Sequence, residues 1–435
     1  MMTYLIKKKG LLIVTLMAIL FFIFLSVSFA FPDLFALFFV PNFIFNGNPY
    51  ILTNLHQSVC AWSSAPYPPL YFYFVGFYMK LIQSLHLLPA SFFEFSRCPV
   101  FEMLTSKQFL FFAKLHYLVF HLASAFFFSR LFDKKRSLWF FVWLLNPLAI
   151  FVSFIEGQFE IIPTLFMIIF LYLVKQKKNL SLAFLALGIG GAFKNFPFLL
   201  LFPSLLVVTK DSLSRVKLFV LAVVPYLLSI VPVFGQDFLN TLSFSENYAM
   251  FLLGIIWGKA AISFYIVLYT LGLLLAALEK KADFNTLVKY LFLASIFFFL
   301  TAPWSPQRIL FLLPTLLVVA STRKKIRFVL PGFYIFYFLY VFTIYPGLFD
   351  HSLLRPWLSN IVSIDYNFLS AKAGLISTTV VSVIIAIFIW WSLQVLADHK
   401  GEEVEDKERF VVKSFLPLLF YLAIILILIP ISGTR

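Results

Sequence analysis

Long apolar blocks alternate with short polar connectors from one end of the chain to the other. A bilayer core about 30 Å thick needs roughly 20 apolar residues per helix, and residues 10–31 meet that requirement. Lys7, Lys8 and Lys9 precede this block, which predicts a cytoplasmic N-terminus. Ser28-Phe29-Ala30 has the small-x-small look of a cleavage site. The block is nevertheless too long for a signal-peptide core of about 7–15 residues, so it reads as a retained span. Further spans are predicted at 109–130, 138–155, 161–174, 180–193, 196–209, 218–234, 257–278, 286–302, 308–320, 328–345, 378–397 and 415–431, thirteen in all. The expected fold is an all-α integral membrane protein, one polytopic domain over residues 1–435.

The connectors carry the sidedness. Lys and Arg gather at 7–9, 130–136, 175–178, 210–217, 280–289, 323–327 and 400–413. Short basic loops mark the cytoplasmic face, where they also meet anionic membrane lipids. Alternating the spans puts all these clusters inside, provided that the apolar segment 71–88 does not cross. Lys80, Gln83 and His86 interrupt that segment, as in an interfacial or re-entrant helix. The first external loop is therefore long, 32–108, and partly helical. A second long external loop spans 347–373, and 398–413 is a charged cytoplasmic linker. Several spans are short: residues 180–193 reach only about 21 Å at 1.5 Å per residue. Helices that stop within a bilayer leave backbone groups needing protein or water around them, so a water-filled cavity opening externally is expected.

Composition agrees. The chain is 62% hydrophobic and 12% charged, against about 25% charged in soluble domains, which excludes a soluble enzyme. A net charge of +15 would raise nucleic-acid binding in a soluble protein. Here the cations are bunched between apolar blocks, and no nucleic-acid partner is expected. The six histidines show no metal-ligand spacing. Cys60 and Cys98 share the first external loop, whose compartment permits a disulfide. The glycines of GIGGAF lie in an apolar hairpin rather than after a strand, so a dinucleotide fingerprint is not read there.

Few charges remain once the basic clusters are set aside. Asp33 follows the first span, either as a helix cap or as a carboxylate held at the membrane surface to act as a general base. Glu156 and Glu160, in EGQFE, are four residues apart and share a face if helical; solvated loop acids are the simpler reading. Lys194 sits in GIGGAFKNFPFLLLFP at the tip of an apolar hairpin. A charge inside a membrane span costs about 2.5–3.5 kcal/mol on insertion scales and is a functional candidate by default, with snorkelling as the alternative. Arg308 starts a helix in TAPWSPQRILFLLP, where its sign opposes the helix dipole, so an anionic partner is expected. Acids and cations facing one mouth suit transfer of a group from a phosphate leaving group.

These residues carry a resemblance. Asp33, FNGNPY at 45–50 and YPPLYF at 67–72 resemble the first external loop of the glycosyltransferase-C superfamily. EGQFE looks like its G-Q-x-D/E, GIGGAFKNFP like its Gly-rich hairpin with K-x-x-P, and SPQRILFLLP like its S/H-P-Q-Y-x-L-x-x-x-P motif. The combination is closest to polyprenyl-phosphate-mannose-dependent mannosyltransferases, including the glycolipid-anchor type, and covers about 32–314. Two positions depart from the pattern. Asp33 stands alone where many relatives carry D-x-D, so no metal site is assigned, although a divalent metal stays compatible. Arg308 replaces the usual aromatic after Gln307, so its role rests on charge alone.

The resemblance implies an inverting hexosyltransferase, with mannose as the sugar, using a polyprenyl-phosphate sugar donor and a lipid-linked or glycan acceptor. Asp33 is expected to be catalytic. Glu156, Gln158, Glu160, Tyr67 and Gln307 would bind substrate, and Lys194 and Arg308 the donor phosphate. No organic cofactor is implied. The site would face away from the cytoplasm, across the cell membrane of a prokaryote or the endoplasmic reticulum of a eukaryote. The alternatives are a secondary transporter, and a ligase or polymerase of lipid-linked glycans.

Overall fold

In a bilayer every backbone polar group must find its partner within the protein, which makes helix the default for long apolar blocks. The computed structural model describes residues 2–29, 34, 37–38, 68–89, 92, 105–176, 179–233, 254–257, 260–279, 283–301, 305–344 and 366–397. Asp33, Tyr67, Cys60, Cys98, the linker 398–413 and the expected span 415–431 lie outside the described residues.

The described chain is almost wholly helical. In order it forms α1 (Met2–Ser28), α2 (Pro69–Ser84), α3 (Lys107–Ser129), α4 (Arg136–Leu144), α5 (Pro147–Ile150) running into a π-helix (Phe151–Glu156), and α6 (Ile161–Lys175). Then come α7 (Leu180–Phe193), a 3-10 turn (Phe196–Leu200), α8 (Leu201–Val208) and α9 (Ser212–Ile230). A short antiparallel pair, β1 (Gly254–Trp257) with β2 (Ala260–Ser263), leads into α10 (Phe264–Leu278) and α11 (Phe284–Thr301). A 3-10 turn (Pro306–Arg308), α12 (Ile309–Thr322), α13 (Lys324–Ile344) and α14 (Tyr366–Ala397) complete it.

Among the described residues, four helices are long and apolar enough to cross a membrane: Gly10–Ser28, Lys107–Ser129, Ser212–Ile230 and Thr379–Leu396. The bent pair Arg136–Leu144 and Pro147–Glu156 makes a fifth if read as one span. Six further apolar helices are shorter, Ile161–Lys175 and Leu180–Phe193 among them. Large apolar side chains such as Met17, Leu20, Leu213, Leu228 and Leu274 stand exposed along these helices, a surface that water would not tolerate over such an area. The protein is membrane-embedded.

One expected span needs correcting. The apolar block from 257 opens with the β-hairpin, and α10 starts only at Phe264, where the Ser263 hydroxyl accepts from the Ile266 amide. A β-branched Ile-Ile pair on one arm and Ile262 on the other favour strand over helix. Hydropathy alone could not see that switch. α2 behaves closer to expectation. At 16 residues it is too short for a straightforward span, and it packs one face inward through Tyr71, Phe72, Val75 and Met79.

Breaks in helices follow local chemistry. Asn146 caps α5, its Oδ1 accepting from the Leu148 and Ala149 amides at 3.0 and 3.4 Å, with Pro147 at the first helical position. The Asn146 Nδ2 donates to the Tyr334 hydroxyl of α13 at 2.9 Å, and the two helical pieces bend by 43° there. Three residues on, the Tyr337 hydroxyl donates to the Pro306 carbonyl, bracing the start of the α12 segment. α7 crosses α9 so closely that a Cβ at Gly188 would stand 2.0 Å from the Ala222 carbonyl oxygen.

Several cations gather at one end of this helical array. Lys175, ending α6, donates to the Leu131 carbonyl at 2.6 Å and to Asp133 at 3.0 Å. Lys210, past α8, donates to the Glu279 carbonyl just past the end of α10, and Arg323, past α12, to the Gln394 carbonyl in the last turn of α14. Each cation meets carbonyls at or just past a helix C-terminus, where the dipole favours it. By the direction of each helix, these contacts lie a helix length from the place where α6 begins and α7 ends.

Candidate functional site

At that opposite place the chain repeatedly leaves regular α-helix. The π-helix ends at Glu156; Gly157 follows in the left-handed region at φ +76°, and the Gln158 amide closes back onto the Val152 carbonyl at 2.9 Å. Only glycine adopts that φ without strain, and a Cβ there would also stand 2.8 Å from Lys114 Cε. The turn carries Glu156, Gln158 and Glu160 into the protein with 1%, 0% and 0% exposure. They are not the solvated loop acids of the simpler reading.

Lys194 arrives from the end of α7, where Phe193 is the last helical residue and Lys194 itself is extended. Its Nζ donates to Glu160 Oε1 in a tight ion pair and lies 4.8 Å from the Phe159 ring centroid and 6.0 Å from that of Phe311. Its side chain is 15% exposed, so it does not snorkel into open water. The fields of Glu156 and Arg308 also act on the Lys194 ammonium, the first favourably and the second against it. Arg308 sits in the 3-10 turn ahead of α12, 5.9 Å from the Phe298 ring centroid. Glu160 Oε2 and Gln307 Oε1 in the cluster are buried and accept no hydrogen bond from the described residues.

The fold thus brings together Glu156, Gln158, Glu160, Lys194 and Arg308, with Gln307 beside Arg308. Aromatic packing fixes their frame. Phe159 stacks on Tyr71 of α2 at 3.9 Å between centroids, joining the first-loop helix to the acidic turn. Phe196 stacks on Phe311 at 4.3 Å, joining the ends of α7 and α12. Asp33 and Tyr67 lie outside the described residues. Leu34, next in the chain to Asp33, is buried, and its Cδ1 would stand 3.0 Å from a Cβ at Gly157.

Among the described residues no three His, Cys, Asp or Glu side chains gather at a metal-sized site. Of the two buried acids, Glu160 is already engaged by a lysine. Among the described residues, His116 and His121 are buried packing groups. His116 lies 4.0 Å from the Tyr117 ring and 4.9 Å from that of Tyr78, and His121 shares a 2.9 Å hydrogen bond with the Leu144 carbonyl.

Sequence reasoning passed over one buried ionisable residue of the described chain, Lys114 in the first half of α3. It is fully buried, and its Nζ donates to the carbonyls of Phe29, Phe154 and Ile155 at 2.7, 2.9 and 3.3 Å. The signal was present: a lone lysine inside an apolar span is a candidate by the argument applied to Lys194. No protein-family model, curated protein or solved structure matches the chain.

Proposed function

We propose that this protein is an inverting membrane glycosyltransferase that moves a hexose, mannose, from a polyprenyl-phosphate donor to a lipid-linked or glycan acceptor on the non-cytoplasmic face. The observation that supports this most is the buried Glu160–Lys194 pair with Glu156 and Arg308 around it, set where several broken helices end. Cations held in a low-dielectric site act strongly on charge that develops during a reaction, and they need no reorganisation as it develops. The leaving group of such a transfer is a lipid phosphate, so Lys194 and Arg308 are suitably charged to receive it. The thirteen-span arrangement with an inside N-terminus belongs to the same proposal, as do the GT-C resemblance and the external mouth.

In the proposed reaction an acceptor hydroxyl attacks the anomeric carbon of the sugar. Asp33 takes the hydroxyl proton, the bond from the anomeric carbon to the phosphate oxygen breaks, and the polyprenyl phosphate leaves with the electron pair. Lys194 and Arg308 balance its charge. Glu160 holds the ammonium in place through one oxygen and offers the other to a sugar hydroxyl. Gln307, with Gln158, Glu156 and Tyr67, supplies further contacts to hydroxyls.

The deciding experiment is transfer of radiolabelled sugar from a polyprenyl-phosphate donor by the purified protein in detergent. Labelled acceptor product supports the proposal; none with any polyprenyl-phosphate hexose overturns it. Broken helices with buried charge also suit a secondary transporter. That reading predicts solute accumulation in proteoliposomes without transfer. A ligase or polymerase of lipid-linked glycans would instead consume a diphosphate-linked donor.

A further inference from the structure

Lys114 has no part in the proposed chemistry, yet its placement is specific. Its three N–H bonds, all that a lysine ammonium has, meet three backbone carbonyls. One belongs to Phe29, just past the end of α1; the others, Phe154 and Ile155, lie in the last turn of the π-helix. Both groups of carbonyls are at helix C-termini, where orphan acceptors and the dipole favour a cation. Its stem lies under Gly157, where any Cβ would stand 2.8 Å from Lys114 Cε. The glycine therefore makes room for the lysine as well as for the turn. Two chain segments that do not adjoin in sequence, the exit of α1 and the turn bearing Glu156 to Glu160, are thus tied to one side chain.

We infer that Lys114 is a positioning residue: its ammonium ties the acidic turn to the end of α1 and so sets the distance between the groups on the two segments. The inference rests on the transfer reading for its catalytic consequence, though not for the tie itself. Misplacing reacting groups by about 1 Å can cost 10²-fold in rate. Lys194 and Arg308 are carried by α7 and the α12 segment, so the donor phosphate keeps both cations, and a looser hold of Glu160 on the ammonium should weaken donor binding far less than it slows turnover.

The test uses the full chain in detergent with Lys114→Met, which keeps the aliphatic stem, and Lys114→Arg, whose planar head cannot match the same three carbonyls beside Gly157. Hydrogen exchange over 151–160 should quicken about tenfold or more in Lys114→Met, while exchange over α11 and α12 stays as in the parent. Turnover per folded molecule should fall about 30-fold or more, with the Kd for a polyprenyl-phosphate sugar changed by less than about threefold. Lys114→Arg should move both readouts the same way, by about half as many decades, and it decides the matter if the Met variant does not fold. Unchanged exchange at 151–160 overturns the tie. Faster exchange with unchanged turnover overturns the positioning role. An equal loss of donor binding overturns it too, because a merely structural lysine would do that. Absence of transfer in the parent protein would sink the glycosyltransferase reading instead, and the tie would then stand or fall on exchange alone.

Discussion

Replacing Lys194 by alanine strands a carboxylate. Glu160 is fully buried, its Oε1 engaged by the Lys194 ammonium, and the lysine side chain is only 15% exposed. Removing one partner of a buried pair costs about 3–5 kcal/mol, chiefly because the other charge is left without compensation, whereas removing both is often nearly neutral. Lys194→Ala should therefore destabilise by about 3 kcal/mol. The double variant Lys194→Ala/Glu160→Gln should lose less than about 1 kcal/mol, leaving a coupling of about 2 kcal/mol or more. From the sequence alone, loss of a membrane charge is expected to leave folding intact; the pairing with Glu160 reverses that expectation. Unfolding by heat or by added detergent, followed for the parent, both single variants and the double, measures the cycle. The reasoning fails if Lys194→Ala unfolds with the parent, or if the double variant loses the sum of the singles. Transfer gives a second axis: the double variant should recover stability and still bind donor poorly, since it lacks the lysine proposed to meet phosphate charge in ground and transition states alike.

Asp33→Asn should keep the fold and donor binding while lowering turnover about 10²-fold or more, read in the same transfer assay; unchanged transfer returns Asp33 to a helix cap. Gly188→Ala should cost about 3 kcal/mol in the same unfolding assay, because its Cβ would stand 2.0 Å from the Ala222 carbonyl oxygen and α7 and α9 would have to part. Asp211 caps α9, and hydrogen bonds from the Ser214 hydroxyl and amide hold its carboxyl below the usual range. Its contribution is therefore present above the unfolded value of about 3.9 and lost as pH falls through the folded value, so Asp211→Ala should melt below the parent at pH 7, by a margin that shrinks as the pH is lowered through that folded value. An impermeant thiol reagent applied from the non-cytoplasmic side should label cysteine placed near Asp350 but not near Lys178; the reverse pattern would invert the sidedness.

Much of the helical layout was legible because apolar blocks and their stops are local signals. The expected bounds at 161–174 and 180–193 lie within a residue of Ile161–Lys175 and match Leu180–Phe193. Pro197 and Pro306 fall in the 3-10 turns that follow α7 and precede α12, as their proline signals predict. Three features were not legible. The Asn146-Pro147 break has a local signal, but its attachment to α13 runs through Tyr334, 188 residues away, and no window of hydropathy contains both. The β-hairpin before α10 sits inside a block whose mean hydropathy suits helix and strand equally. The π-helix is a matter of hydrogen-bond register, which composition does not encode.

The two lysines show why the site itself was only partly legible. Lys194 was noticed because it interrupts apolar sequence at a glycine-rich tip, and its partner Glu160 was noticed separately, as one of two acids in a loop. Nothing in the sequence says that they pair, since pairing depends on α6 and α7 lying antiparallel with their ends in register. Lys114 stands in an equally apolar helix, yet its partners are backbone carbonyls, which every residue but no particular one possesses. A buried lysine that answers a carboxylate leaves a complementary charge somewhere in the chain to be found. One that answers helix ends leaves no such mark, and only the geometry of those ends reveals it. By this argument the acidic turn takes its position from one cation, Lys114, and shares its charge with another, Lys194. The Met and Ala variants should separate accordingly, the first loosening the turn with the donor still bound, the second weakening donor binding while the tie to α1 remains.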